Sequence, residues 1–175
     1  IERVDLVNYM KSQYAANSTI ICVAGKIEET TAVKKIKKYF SKINATQPKS
    51  KLPVLEKQSK PSILLYPRQT DQAHLYLGVR GYNIFHPQKY VLELLAIILG
   101  GMMSSRLFEE IRTKLGIAYY IQTSVSAETD SGYLVTQAGV DNKNVEKAIL
   151  TILKEYKKIS QIKVPKKELK KAKDC

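Results

Sequence analysis

The hydrophobic positions of this chain change their period several times, and each change predicts a new element. Helical spacing of apolar residues predicts helices over residues 5–14, 28–40, 87–99 and 144–158, and from residue 165 onwards. Apolar runs or strict alternation predict strands over residues 19–24, 62–66, 73–79, 117–127 and 132–139. We therefore predict an α+β fold, mainly an antiparallel sheet covered by helices on one side.

Residues 99–119 form the most informative stretch of the sequence. An apolar helix is expected to end at Gly100 and Gly101, where the backbone can reverse sharply. Ser104 or Ser105 is then placed to cap a second, amphipathic helix. The pattern predicts a helix, a glycine turn and another helix in close succession.

The second helix is expected to end at Gly116, and the next strand begins at once. Arg112 lies in the last turn of that helix and Tyr119 near the start of the strand. Both side chains are thus predicted to lie at one helix-to-strand corner. In an arbitrary fold, such an Arg usually complements the helix dipole and such a Tyr usually packs against neighbours.

Several segments, in the same order, resemble the M16 family of zinc metallopeptidases, which includes pitrilysin, insulin-degrading enzyme and the mitochondrial processing peptidase. The matching segments run from Tyr14 to Asn17, from Ile20 to Gly25, from Gln72 to Gly78, from Leu99 to Tyr119 and from Glu168 to Lys173. The chain resembles the second, inactive domain of that family over nearly its whole length.

The resemblance implies roles for particular residues. In the family, an Arg and a Tyr seven positions later hold the substrate peptide, and Arg112 and Tyr119 match that spacing. A guanidinium there can donate to a peptide carbonyl, and a phenol can donate to the oxygen that gains negative charge during hydrolysis. The remaining motif residues are expected to be structural: Gly100, Gly101, Ser104, Ser105, Arg106 and Gly116.

The resemblance also divides the chain. Residues 1–43 would be the closing helix-strand-helix of a preceding repeat and residues 62–175 most of the following domain. Residues 44–61 are rich in Pro, Lys, Ser and Gln without periodicity, which is typical of a linker. Because the repeats are homologous, we expect residues 1–43 to complete the sheet of residues 62–175, either in permuted fashion or by a swap within a homodimer.

The metal-binding motif of the family is missing from these residues. Its inverted zincin pattern places two His and one Glu on a helix, whereas the only histidines here are His74 and His86, with no such Glu between them. A catalytic zinc needs about three protein ligands. We therefore expect no catalytic residue, no metal and no cofactor in this segment, and zinc in the full-length parent.

The net charge of +13 raises the question of nucleic acid. Lysines far outnumber arginines and are spread over helix faces and the linker, and no recognised nucleic-acid motif accompanies them. We expect no nucleic-acid partner. No apolar run reaches the ~20 residues of a membrane-spanning helix.

Three hypotheses for function remain. The first is a non-catalytic, substrate-binding part of a zinc-dependent M16 peptidase, whose partners are a peptide or protein substrate and the remaining M16 domains or a paired M16 subunit. The second is a non-catalytic M16-like subunit that acts as a binding or structural partner. The third, nucleic-acid binding through the basic surface, predicts a steep dependence of affinity on salt.

Overall fold

A computed structural model describes residues 1–45 and 47–175 and divides the chain into two units, Ile1–Pro53 and Val54–Cys175. The first unit contains helix α1 (Arg3–Gln13), a short 3-10 turn (Ala16–Ser18) and helix α2 (Glu29–Phe40). Both helices were predicted from the spacing of apolar residues, with bounds within two residues of those observed.

The strand predicted over residues 19–24 does not form. These residues are exposed and belong to no sheet; Ile20 is 90% exposed. A strand is stable only when it pairs with others, and residues 19–24 pair with no strand among residues 1–45 and 47–175. The expectation that residues 1–43 complete the sheet of residues 62–175, in permuted fashion or by a swap within a homodimer, stays a prediction.

Helix α2 shows the same lack of cover. Val33 and Phe40, two of the apolar residues whose spacing predicts this helix, are more than one-third exposed. Ala15 is the only buried residue of this unit among residues 1–45 and 47–53.

The second unit is built on a three-stranded antiparallel sheet. Its strands are β1 (Gln72–Arg80), β2 (Ala118–Ala127) and β3 (Gly132–Asp141), in the order β1-β3-β2. The helices are α3 (Lys89–Ala96), which continues as a π-helical segment (Ile97–Gly101), then α4 (Val145–Gln161) and α5 (Lys166–Lys173). The predicted α+β class, with a mainly antiparallel sheet, is confirmed.

One face of the sheet carries the core. Leu134, Thr136, Ala138 and Val140 alternate along β3 and are fully or almost fully buried. Their cross-strand neighbours on β1 and β2 point to the same face. The helices cover that face with buried apolar side chains: Ala96, Leu99, Leu107, Ile111, Ala148 and Ile152.

The strand predicted over residues 62–66 is also wrong. Residues 62–66 lie outside the sheet, and Ile63, Leu64, Leu65 and Tyr66 are each more than three-quarters exposed. Their apolar character is that of a strand, but a strand needs a neighbour to satisfy its backbone groups. The local pattern is therefore insufficient to form the strand.

Candidate functional site

Arg112 lies on a helix with an unusual backbone, Phe108–Lys114, which we call the signature helix. The helix is π-helical, and the Leu115 N–H donates to the carbonyl of Glu110, five residues back, at 3.1 Å. The Arg112 guanidinium lies over the ring of Phe108, 5.0 Å from its centroid, and the residue is exposed. Such a cation–π contact restrains the side chain while leaving its N–H groups accessible.

Tyr119 lies at a break in the pairing of β2 with β3. Ala118 is opposite Val140 and Tyr120 is opposite Gly139, so Tyr119 is the extra residue of a β-bulge. Ala118 and Ile121 both face the core although they are three residues apart. The bulge therefore directs two consecutive tyrosines away from the core, and Tyr119 is 59% exposed.

Gly116 makes the corner between these two elements. Its φ of 62° lies in the left-handed region, where a side chain would be strained. The Ile117 N–H then donates to the carbonyl of Ile111 at 3.1 Å, which closes the turn. The helix therefore ends at Lys114, two residues before the glycine that the sequence indicated.

Arg112 and Tyr119 occupy the two sides of this corner. Arg112 rests on Phe108, and no hydrogen bond joins it to Tyr119 in the described part of the chain. Their joint contact with a substrate stays a prediction.

Arg106 forms an ion pair whose partner the motif alone did not reveal. Its Nε and Nη2 atoms each donate to one carboxylate oxygen of Glu168 on α5, both at 2.7 Å. This bidentate pair raises the pKa of Arg106 and lowers that of Glu168, in each case mainly through the hydrogen bonding. It joins Arg106, two residues before the signature helix, to α5, 62 residues later in the chain.

Of the other motif residues, Gly100 and Ser105 are buried, whereas Gly101 and Ser104 are exposed. Gly100 is buried, and a Cβ atom there would lie 2.3 Å from Oγ1 of Thr123. Ser105 is buried, but its hydroxyl has no hydrogen-bond partner among residues 1–45 and 47–175, so Ser105 does not form the side-chain cap that was expected of Ser104 or Ser105. Its backbone carbonyl instead accepts from the Glu109 N–H at 3.0 Å.

The structure provides no metal site within the residues that it describes. No three His, Cys, Asp or Glu side chains come together in a suitable group. The two histidines have other partners: His86 stacks on Tyr82 at 3.9 Å between ring centroids, and His74 Nδ1 lies 3.1 Å from Oη of Tyr120. The residues present therefore do not fit a catalytic zinc.

Sequence reasoning missed the pairing of His74 with Tyr120. The alternation of β1 placed His74 on its polar face, but only the register places His74, Gly139 and Tyr120 in one row across three strands. The Tyr119-Tyr120 doublet was visible in the sequence. The bulge that changes its orientation was not.

Comparison with known proteins places the chain in a family. Residues 1–174 match the model of the peptidase M16 inactive domain. The Bacillus subtilis protein named uncharacterized zinc protease YmxG is 33% identical over 170 residues, which cover 97% of this chain and 41% of that protein. The chain belongs to the M16 peptidase family and matches its inactive domain.

Solved structures share the fold. The peptidase M16 inactive domain from Pseudomonas fluorescens has a TM-score of 0.76 at 20% identity, covering 99% of this chain and 42% of that one. A protease from Helicobacter pylori gives a TM-score of 0.76 at 19% identity, covering 99% of this chain and 43% of that one. The chain thus spans less than half the length of these relatives.

No helix in the parts of the chain that the structure describes has the length and apolar character needed to cross a bilayer.

Proposed function

We propose that this inactive M16 domain binds the peptide substrate of a zinc peptidase, with Arg112 and Tyr119 as the contacting residues. One observation carries the proposal: both residues lie on backbone irregularities on either side of one corner, a π-helix for Arg112 and a β-bulge for Tyr119. Such irregularities cost regular hydrogen bonding and are frequent at functional sites.

The chemistry of the two side chains suits a peptide. The exposed guanidinium offers several N–H donors in a fixed plane, which match peptide carbonyl oxygens or a carboxylate. The exposed phenol of Tyr119 offers one O–H donor to an oxygen that gains negative charge during hydrolysis. Neither residue is a proton acceptor for catalysis in this proposal.

In this proposal, the zinc ion is bound by other parts of the protein and not by this domain. The Bacillus relative is named a zinc protease, whereas the side chains described here do not form a metal site. We propose that the metal is held by residues outside this chain, in another M16 domain or a paired M16 subunit.

The test uses the intact protein that carries this chain, with its partner subunit if it has one. We expect Tyr119→Phe to lower kcat for peptide cleavage by about 10²-fold, because one donor to the developing charge is lost. We expect Arg112→Ala to raise KM by about 10-fold or more, because a charge-assisted hydrogen bond to substrate is lost. Zinc content, measured by elemental analysis, should stay at the wild-type level in both variants.

Two variants serve as matched controls. Arg68→Ala and Tyr90→Phe alter exposed residues of the same types outside the signature helix and β2, and should leave cleavage unchanged. If Arg112→Ala and Tyr119→Phe also cleave peptide and bind a labelled peptide like the wild type, the proposal is wrong. If the intact protein binds peptide through these residues without cleaving it, the domain belongs to a binding subunit.

A further inference from the structure

The face of the sheet opposite the core, which we call the outer face, is uncovered near Tyr119. Its β1 positions are Gln72, His74, Tyr76, Gly78 and Arg80. Tyr76 on this face is 68% exposed. The helices of the second unit contribute their buried side chains to the opposite face. The outer face is therefore available to a ligand at this end.

Tyr120 crosses the outer face to reach His74. The two residues lie on the outermost strands, β2 and β1, and Gly139 on β3 lies between them. A Cβ atom on Gly139 would lie 2.4 Å from Cε1 of Tyr120, so only glycine lets the ring lie flat over β3. The ring then places its Oη atom 3.1 Å from Nδ1 of His74, and the two rings are stacked at 29°.

The hydrogen bond between Tyr120 and His74 bears on which ring nitrogen of His74 can donate to a ligand. Burial, with a smaller contribution from Tyr76, raises the pKa of the Tyr120 phenol, which therefore keeps its proton at neutral pH. When the phenol donates to Nδ1, the proton of the neutral imidazole lies on Nε2. His74 then presents one N–H donor whose ring orientation is fixed by Tyr120.

We propose that His74, oriented by Tyr120, is a further substrate-binding residue, whose Nε2–H donates to a backbone carbonyl of an extended peptide. The inference rests on the proposed function of Arg112 and Tyr119. His74 is the binding residue and Tyr120 is a positioning residue.

The geometry favours a peptide that continues from Tyr119. Tyr119 and Tyr120 are consecutive, and two strand spacings from β2 to β1 amount to about 10 Å. An extended peptide covers that distance with about three residues. The aromatic strip formed by Tyr119, Tyr120, His74 and Tyr76 thus matches the length of a short extended segment and supplies both ring surfaces and donors.

The experiment again uses the intact protein, with a peptide that it cleaves or, failing cleavage, a labelled peptide that it binds. We expect His74→Gln to raise KM or Kd about 5- to 10-fold, the size of one lost hydrogen bond, with kcat nearly unchanged. Tyr120→Phe should raise KM or Kd by a smaller factor, and the double variant should have nearly the same KM or Kd as His74→Gln alone. His86→Gln and Tyr90→Phe are the matched controls.

A second readout separates binding from a structural role. In nitrogen-15 NMR spectra, the His74 ring signals are assigned by their loss in His74→Gln. We expect an Nε2-protonated ring whose Nε2 signal moves when peptide is added, and a mixture of tautomers in Tyr120→Phe. An unmoved Nε2 signal at saturating peptide would overturn the inference, even if KM changed through loss of stability.

The two proposals fail in different ways. If Arg112→Ala and Tyr119→Phe impair binding or cleavage but His74→Gln stays within twofold of wild type, the His74 inference alone is wrong. If none of these variants has an effect, the proposed function itself is wrong, and the inference falls with it. If His74→Gln leaves KM unchanged because another domain covers the outer face, the His74 inference alone is likewise wrong.

Discussion

Replacing Arg106 with alanine is expected to lower the free energy of unfolding by about 3 kcal/mol, because it breaks a largely buried, bidentate ion pair. The Arg106 side chain is 13% exposed and that of Glu168 is 30% exposed. Glu155, which is 4% exposed and lines the same surface cavity, also interacts with the Arg106 charge. Arg106→Ala would leave the carboxylates of Glu168 and Glu155 without the Arg106 guanidinium. Urea denaturation measures the change.

Conservative and distant substitutions give the controls for Arg106. Arg106→Lys keeps the charge but loses the planar fork that both oxygens of Glu168 accept from, so it should destabilise less than alanine. Lys143→Ala removes an exposed partner of Asp141 and should cause no measurable change. Equal stabilities of Arg106→Ala and Lys143→Ala would show that the Glu168 pair contributes nothing.

The same pair predicts a dependence of stability on pH. Hydrogen bonding from Arg106 lowers the pKa of Glu168 in the folded state. The resulting stabilisation is fully present above the unfolded-state pKa of about 4.3 and is lost as the pH falls through the lower folded-state pKa. The stability difference between wild type and Glu168→Gln should therefore be constant near neutrality and shrink below about pH 4. A difference that grows on acidification would contradict the assignment.

Replacing Leu107 with alanine should also cost about 3 kcal/mol, within the range of roughly 2–5 kcal/mol seen for buried leucines. Leu107 is fully buried in the core cluster, directly before the signature helix. The substitution removes contacts with the sheet and leaves a cavity that the surrounding helices fill only in part. Urea denaturation again measures the loss.

Leu150 provides the matched control for Leu107. It lies on α4 and is 60% exposed, so Leu150→Ala should change the free energy of unfolding by less than about 0.5 kcal/mol. Similar losses for the two variants would mean that Leu107 is not in the core. Amide hydrogen exchange should also accelerate selectively in the signature helix of Leu107→Ala, because Leu107 directly precedes this helix and shares a core cluster with its Ile111.

Helices and hairpins were predictable because their signals are local. The apolar spacing of α2 and α4 and the glycine after the signature helix specify short-range structure, and α2 forms although none of its residues is buried. The hairpin of β2 and β3 likewise joins neighbours in sequence. The same local signals failed for residues 19–24 and 62–66, since a strand needs a partner from elsewhere in the fold.

The candidate site was predictable only in part. The spacing of Arg112 and Tyr119 and the glycine corner between them could be read from the residues. The π-helical backbone, the bulge at Tyr119 and the partner of His74 depend on how strands pair across the sheet. No periodicity in one segment specifies the register between two segments.

The sequence by itself determined the family, the helices and hairpin, and the corner that carries Arg112 and Tyr119, because these depend on residue type and short-range spacing. Tertiary structure alone decided that Arg106 is paired with Glu168 and that Tyr120 crosses Gly139 to His74. Both pairings join residues far apart in the chain. Their geometry is fixed by sheet register and helix packing, which arise only when the segments pack together.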